Sequence, residues 1–80
     1  MVMNTLRIPY YSELDIKLEE LWQETPGHWC DFLYTLDDHI TNVYVEEIKL
    51  NDGRSISPES ATYIEFFKEE HVTWFLLRLV

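Results

Sequence analysis

Glycine, cysteine and cationic residues are scarce in this sequence, and each scarcity argues against a class of function. The two glycines, Gly27 and Gly53, lie too far apart to form a glycine-rich phosphate-binding loop. The single cysteine, Cys30, has no partner for an internal disulfide, which favours a reducing compartment. Six Lys and Arg against fifteen Asp and Glu give a formal net charge of −9. This balance argues against direct binding of nucleic acid or of an anionic membrane, because phosphate contacts need cations.

Long apolar runs are also missing. No run reaches the roughly 18 residues that a membrane-spanning helix needs, and the apolar stretch 72–80 is interrupted by Arg78. The first residues contain no apolar segment of the kind found in signal peptides, so we expect a cytoplasmic protein. Residues 1–80 fit a single small domain, in which 46% hydrophobic and 15% aromatic residues provide enough material for a packed core.

The clearest helix signal covers residues 12–24. Ser12 is a suitable N-cap, and Glu13 and Asp15 would lie in the first turn, where the helix dipole favours negative charge. Apolar residues recur at helical spacing along this segment: Leu14, Leu18, Leu21 and Trp22. The core residues on which this helix should pack are Phe32, Ile48, Ile64 and Trp74.

Residues 28–36 fit two patterns. As a strand, alternate residues would share a face; as a helix, Thr25 would be the cap, Pro26 the first helical residue, and Trp29, Phe32, Leu33 and Leu36 one apolar face. We favour a strand, because the aspartates that follow, Asp37 and Asp38, suit a turn and oppose the dipole at a helix C-terminus.

The segment 43–50 is rich in β-branched and apolar residues and predicts a strand. Its apolar alternation changes parity at Glu46 and Glu47, which a β-bulge would reconcile. The turn sequence 51–53 follows, with Gly53 at a position that needs a positive φ, and residues 54–56 return as a short strand.

The last third, residues 60–80, holds the densest apolar material. We interpret it as a β-hairpin at the centre of the sheet, with strands at 61–67 and 72–79, and with at most one helical turn at 57–60. The rival interpretation is a helix beginning at Pro58, which would align Ile64, Phe67, His71 and Trp74. A short extended piece is expected at 5–8. The predicted fold is α+β, with one N-terminal helix packed on an antiparallel sheet of four to five strands.

No constellation of side chains predicts catalysis or a cofactor. His28, His39 and His71 lack the spacing of a zinc site and are expected to be scattered on the surface. Cys30 lies near His28 but has no third orienting group, and a cysteine in an apolar run usually packs in the core. We therefore expect a protein that is not an enzyme and holds no metal.

Acidic residues, by contrast, form clusters along the chain. Carboxylates strung along a helix and strands can imitate the phosphate spacing of a nucleic acid and occupy the basic groove of a protein that binds DNA or RNA. The residues expected to contact such a partner are Asp15, Glu19, Glu20, Asp37, Asp38, Glu46, Glu47, Glu69 and Glu70, with Tyr44 as an aromatic anchor.

In size, acidity and lack of catalytic motifs the chain is similar to small phage-encoded inhibitors, the anti-CRISPR proteins and other DNA mimics. This similarity of profile implies an inhibitor of a basic, nucleic-acid-handling complex or nuclease. Two alternatives stay open. One is an immunity or antitoxin-type partner of a basic nuclease, and the other is a structural subunit of a larger assembly.

Aromatic residues that alternation places outside a small core suggest a monomer or a weak homodimer. They are Tyr10, Tyr11, Trp29 and Tyr44.

Overall fold

The computed structural model describes residues 4–79 and contains a three-stranded antiparallel sheet with helices on one side. In chain order the elements are β1 (Thr5–Pro9), α1 (Glu13–Gln23), α2 (Trp29–Thr35), β2 (Ile40–Glu46), β3 (Ala61–Phe66) and α3 (Glu69–Leu79). The α+β class matches the sequence prediction. The strand number does not: within residues 4–79 there are three strands rather than four or five, and three helices rather than one.

Strand β3 is the centre of the sheet, with β1 on one side and β2 on the other. Ile64 lies opposite Leu6 of β1 and Val43 of β2, so these three side chains share the face that is covered by the helices. The alternate residues of the strands, Tyr63 and Tyr44 among them, lie on the opposite face. The buried core on the helical side consists of Ile8, Leu18, Phe32, Leu33, Ile40, Val43, Ile64, Phe66 and Phe75.

Helix α1 follows the sequence prediction closely. Ser12 is the N-cap, and its hydroxyl accepts a hydrogen bond from the Asp15 N–H at 3.3 Å. Leu18 is fully buried, and Leu14 and Trp22 pack against the core. Of the residues expected to receive this helix, Phe32 and Ile64 belong to the same buried cluster as Leu18. Leu21, Ile48 and Trp74 are exposed, so their assignment to the core was wrong.

The segment 28–36 is helical, which overturns the preference for a strand. Helix α2 buries Phe32 and Leu33, with Trp29 and Leu36 packed against the core, so the 3.6-residue spacing determines the structure. Helix α2 begins after His28, whose carbonyl accepts the Phe32 N–H at 2.9 Å. Asp37 follows the helix and accepts the His39 N–H, forming the turn that was expected there.

The end of the chain is also helical. The strand predicted at 61–67 exists as β3, but the strand predicted at 72–79 is part of α3, and Lys68 lies in the bend between the two elements. The half-buried or buried residues of α3 are His71, Val72, Phe75, Leu76 and Leu79, a spacing of one helical face. Glu69 and Glu70 in the first turn and Arg78 in the last complement the helix dipole.

The strand predicted at 43–50 begins earlier and ends at Glu46, and its register shift lies between Ile40 and Asn42 rather than at Glu46 and Glu47. The turn at 51–53 is present: Gly53 has φ 72° and its N–H bonds the Leu50 carbonyl at 2.9 Å. The expected return strand at 54–56 is reduced to one bridge between Lys49 and Ile56. Residues 57–60 form a turn rather than a helix.

Candidate protein-interaction surface

The carboxylates of this protein are almost all free of ion pairs. Among residues 4–79, which contain all fifteen Asp and Glu, the one carboxylate with a cationic partner within 4.0 Å is that of Asp37, which pairs with Arg78 and with His39. The predicted contact residues that are exposed are Glu19, Glu20, Asp38, Tyr44, Glu46, Glu47, Glu69 and Glu70. The other two predicted contact residues, Asp15 and Asp37, have different surroundings.

Asp15 is buried, with 4% of its surface exposed. Its carboxylate accepts the N–H of Tyr11 at 3.0 Å, while its own N–H bonds the Ser12 hydroxyl. These bonds hold the turn between β1 and α1, in which Tyr11 has φ 66°, a left-handed conformation that strains a residue with a side chain. Asp15 can therefore meet only a ligand that enters the pocket described below.

Asp37 forms a structural contact between the α2–β2 turn and α3. The Arg78 guanidinium bonds its carboxylate and also the Leu36 carbonyl, the latter at 3.1 Å. Burial alone would raise the pKa of this carboxyl, but the backbone N–H and ring of His39, together with Arg78, outweigh burial and hold the pKa below its ordinary value. This residue is better placed to hold α3 than to bind a partner.

Because the folded-state pKa of Asp37 lies below the ordinary value of about 3.9, its contribution to stability is present above that pH and is lost as the pH falls through the folded-state pKa. We expect Asp37→Asn, which keeps an acceptor for the His39 N–H, to lower the free energy of unfolding by about 0.5–1 kcal/mol at pH 7, since the Arg78 guanidinium is largely exposed. Urea denaturation at pH 7 and at pH 3 should show this difference shrinking at the lower pH.

The matched control is Asp38→Asn, which removes the neighbouring exposed carboxylate and should leave stability unchanged at both pH values. Equal losses for the two variants at pH 7 would contradict a structural role for Asp37.

The face of the sheet away from the helices carries aromatic and acidic side chains side by side. The rings of Tyr44 and Tyr63 stack with centroids 5.0 Å apart and an angle of 11° between their planes. Desolvation and the nearby Glu65 carboxylate, with smaller contributions from Tyr63 and Glu46, raise the pKa of the Tyr44 hydroxyl. We call the four residues Tyr44, Glu46, Tyr63 and Glu65 the sheet-face patch. Sequence reasoning placed Tyr44 and Glu46 in the contact set and missed Tyr63 and Glu65, which the register brings beside them.

A second acidic and aromatic site is a pocket of about 230 Å³ between the β1–α1 turn, α1 and α2. Its lining residues are Tyr10, Asp15, Glu19, Trp22, Trp29 and Thr62. Desolvation, followed by the charges of Glu47 and Asp15, raises the pKa of the Tyr10 hydroxyl. Desolvation and the repulsion of Asp15 likewise raise the pKa of the Glu19 carboxyl.

We call this site the tryptophan pocket. It brings together two of the predicted acidic residues, Asp15 and Glu19, and two aromatic residues that sequence reasoning had expected to be partly exposed, Tyr10 and Trp29. The sequence signal that could have found it is the presence of Trp22 in the last turn of one helix and Trp29 in the first turn of the next.

Two of the three histidines lie side by side in the structure. His39 and His71 stack with ring centroids 3.9 Å apart, and His71 is buried, so the expectation of three scattered surface histidines was wrong. In the part of the chain that the structure describes, no group of three His, Cys, Asp or Glu side chains is arranged to hold a metal ion. Cys30 is half-buried and packs against the core.

No helix within residues 4–79 combines the length and the apolar character needed to cross a bilayer. Neither the protein-family models nor the curated proteins nor the solved structures compared with this chain give a match.

Proposed function

We propose that this protein binds a basic, nucleic-acid-handling protein and inhibits it by occupying the surface that would otherwise hold DNA or RNA. The observation that carries the proposal is that, among residues 4–79, almost all carboxylates lack a cationic partner. With a net charge of −9, and with Asp37 alone in an ion pair among residues 4–79, nearly all of the negative charge is free to act on a partner. A field of this sign attracts positive surfaces and repels nucleic acid.

Free carboxylates alone would only make the protein acidic, and the aromatic side chains beside them give the surface a means of recognition. In the sheet-face patch, Tyr44 is 41% exposed and lies between Glu46 and Glu65. Tyrosine is enriched among the residues that dominate binding energy, because its ring provides a large contact area while its hydroxyl can bond polar groups. A basic protein surface with arginine side chains complements both properties.

The proposed partner is a nuclease or another DNA- or RNA-binding complex, since such proteins present the dense positive surface that matches this charge. Under the inhibitor hypothesis and under the immunity hypothesis the protein would use the same acidic surfaces. The two hypotheses differ in the identity of the partner, which is a defence complex of the host in the first and a cognate toxic nuclease in the second.

A structural subunit remains the second candidate, and exposed apolar side chains favour it. Those near or on α3 are Phe67, Trp74 and Leu77. Apolar residues gathered on one surface are typical of contacts with other chains. Under this alternative the protein would sediment as a stable oligomer even at micromolar concentration, whereas the inhibitor hypothesis requires only a monomer or a weak dimer.

The experiment that tests the proposal is competition. Immobilised protein captures partners from a host lysate, and a partner that elutes at raised salt is identified, purified and bound to fluorescently labelled duplex DNA or RNA. We expect unlabelled protein to release the labelled nucleic acid stoichiometrically, with weaker competition as salt rises, because exposed charges are screened over about 8–10 Å.

Nucleic acid that stays fully bound at saturating protein would show that the two ligands do not share a surface, and the mimicry proposal would then be wrong. A control protein of similar size and net charge, added at the same concentration, separates specific competition from a general effect of polyanions.

A further inference from the structure

We propose that the tryptophan pocket is a receptor for one arginine side chain of the basic partner. That the arginine belongs to a basic partner rests on the proposed function, whereas the affinity of the pocket for an arginine side chain does not. Three properties of the pocket support this: its aromatic walls, its unpaired carboxylates and its size.

The walls of the pocket are aromatic and are held in place. The rings of Trp22 and Trp29 lie with centroids 5.3 Å apart at 66°. The Trp22 indole N–H donates to the Gly27 carbonyl at 2.9 Å, and that of Trp29 donates to the buried Thr62 hydroxyl at 3.2 Å. With these donors occupied, the two indoles line the cavity with aromatic ring surface, and aromatic rings attract cations.

The carboxylates provide the charge that the cation would meet. Asp15 and Glu19 are four residues apart on α1 and line the same cavity, so their like charges repel each other. Within residues 4–79 neither has a cationic partner within 4.0 Å. Lys17, on the same helix, lines a different groove with Leu76. A cation in the pocket would relieve the repulsion and gain attraction from both carboxylates.

The strained turn beside the pocket supports the same conclusion. Tyr11 keeps its left-handed backbone because Asp15 holds its N–H, and the preceding residue, Tyr10, is thereby placed at the pocket. Strained residues that persist in a fold are concentrated at binding sites, where the surrounding structure maintains them.

The cavity suits a single side chain rather than a larger molecule. Its volume of about 230 Å³ is below the roughly 300 Å³ at which pockets for drug-sized ligands begin. A guanidinium group fits the lining better than an ammonium group, because it is planar, stacks on aromatic rings and can bond a carboxylate with two N–H groups. A phosphate or another anion is excluded by the two carboxylates and by the lack of free indole donors.

The test uses two small probes of nearly identical shape, N-acetyl-arginine methylamide and its neutral analogue N-acetyl-citrulline methylamide. Each is titrated into ¹⁵N-labelled protein while the three tryptophan indole signals are followed. We expect the arginine probe to shift the signals of Trp22 and Trp29 in a saturable manner and to leave that of Trp74, on α3, nearly unchanged. The citrulline probe should bind more weakly than the arginine probe by at least about tenfold.

Glu19→Gln and Glu20→Gln form the matched pair of variants, since both are exposed residues of α1 and only Glu19 lines the pocket. We expect Glu19→Gln to weaken binding of the arginine probe several-fold and Glu20→Gln to leave it unchanged. Equal binding of the two probes, equal effects of the two variants, or no shift of the Trp22 and Trp29 signals would each overturn the inference.

These outcomes are separable from failure of the proposed function. Probe binding without competition for nucleic acid would keep the pocket as an arginine site and remove the nucleic-acid-handling partner as its source. Competition without probe binding would retain the proposed function and refute the pocket.

Discussion

Replacing Glu46 and Glu47 with lysine is expected to slow association with the basic partner by about tenfold or more at low salt, because electrostatic steering changes association rates by roughly 10–10³-fold. Glu46 belongs to the sheet-face patch, and the charge of Glu47 acts on Tyr10 of the tryptophan pocket, so the double variant changes the electrostatics of both candidate surfaces. Both residues are exposed, and the fold should remain intact. Stopped-flow association kinetics measure the rate, and far-UV circular dichroism checks the fold.

The matched control reverses Glu24 and Glu59, which are exposed and lie outside the predicted contact set. Each double variant changes the net charge from −9 to −5, because every reversal removes one negative charge and adds one positive charge. The control should therefore reproduce the loss of long-range attraction without the loss of direct contacts. Equal association and dissociation rates for the two variants would mean that net charge alone steers the partner, and that neither candidate surface is the contact.

The largest expected effect on stability comes from Phe75→Ala. Phe75 is 1% exposed and packs on Phe66 of β3, with ring centroids 5.3 Å apart. Truncating a buried phenylalanine costs about 3–5 kcal/mol, since it removes apolar contacts and leaves a cavity. Small domains are stable by about 5–15 kcal/mol in total, so the variant should be close to unfolded at moderate temperature.

Leu77→Ala is the control, because Leu77 is on the same helix and is 68% exposed. It should change the free energy of unfolding by about 0.5 kcal/mol or less. The pair also tests the secondary structure: in a strand, residues 75 and 77 would share one face, whereas in α3 they do not. Similar losses for the two variants, measured by urea denaturation, would contradict the helix.

The parts of the fold that could be predicted from the sequence are those with local chemical signals. Ser12 marks the start of α1, leucines at helical spacing mark its buried side, and Gly53 marks a turn that needs a positive φ. In each case a cap or a backbone requirement limits the choice to one conformation. Strand β3 was also predicted, from β-branched and apolar residues in a short run.

The segments that became α2 and α3 could not be assigned in this way. Both are dense in apolar and aromatic residues, so helical spacing and strand alternation each place large side chains on a plausible core face. The choice depends on tertiary packing: as helices, the two segments bury Phe32 and Phe75 in one cluster with Ile64 and Phe66 of β3. β-Propensity, which favours aromatic residues, was overridden by that packing.

The candidate sites could likewise be predicted only in part from the sequence. Sequence clustering identified most exposed carboxylates, and Tyr44 was correctly expected outside the core. Sequence could not show that Asp15 and Asp37 are engaged by the backbone and by Arg78. Nor could the sequence show that Tyr10 and Trp29, which are separated by α1, line the same pocket. Such sites depend on distances between helices and strands, which cannot be predicted from amino-acid composition.

The hydroxyl of Tyr34 has a consequence for the behaviour of the protein at high concentration. β2 is an edge strand, and the N–H of its Val43 is bonded by that hydroxyl at 3.0 Å, while the hydroxyl also donates to the Asn42 side chain at 3.3 Å. A neighbouring chain that approached this edge to extend the sheet would find the donor at its centre already occupied and an aromatic ring beside it. Exposed strand edges are the usual starting points for open-ended aggregation. A single phenol of α2 thus removes one backbone donor of this edge from pairing with another chain, while the sheet face stays free for other contacts.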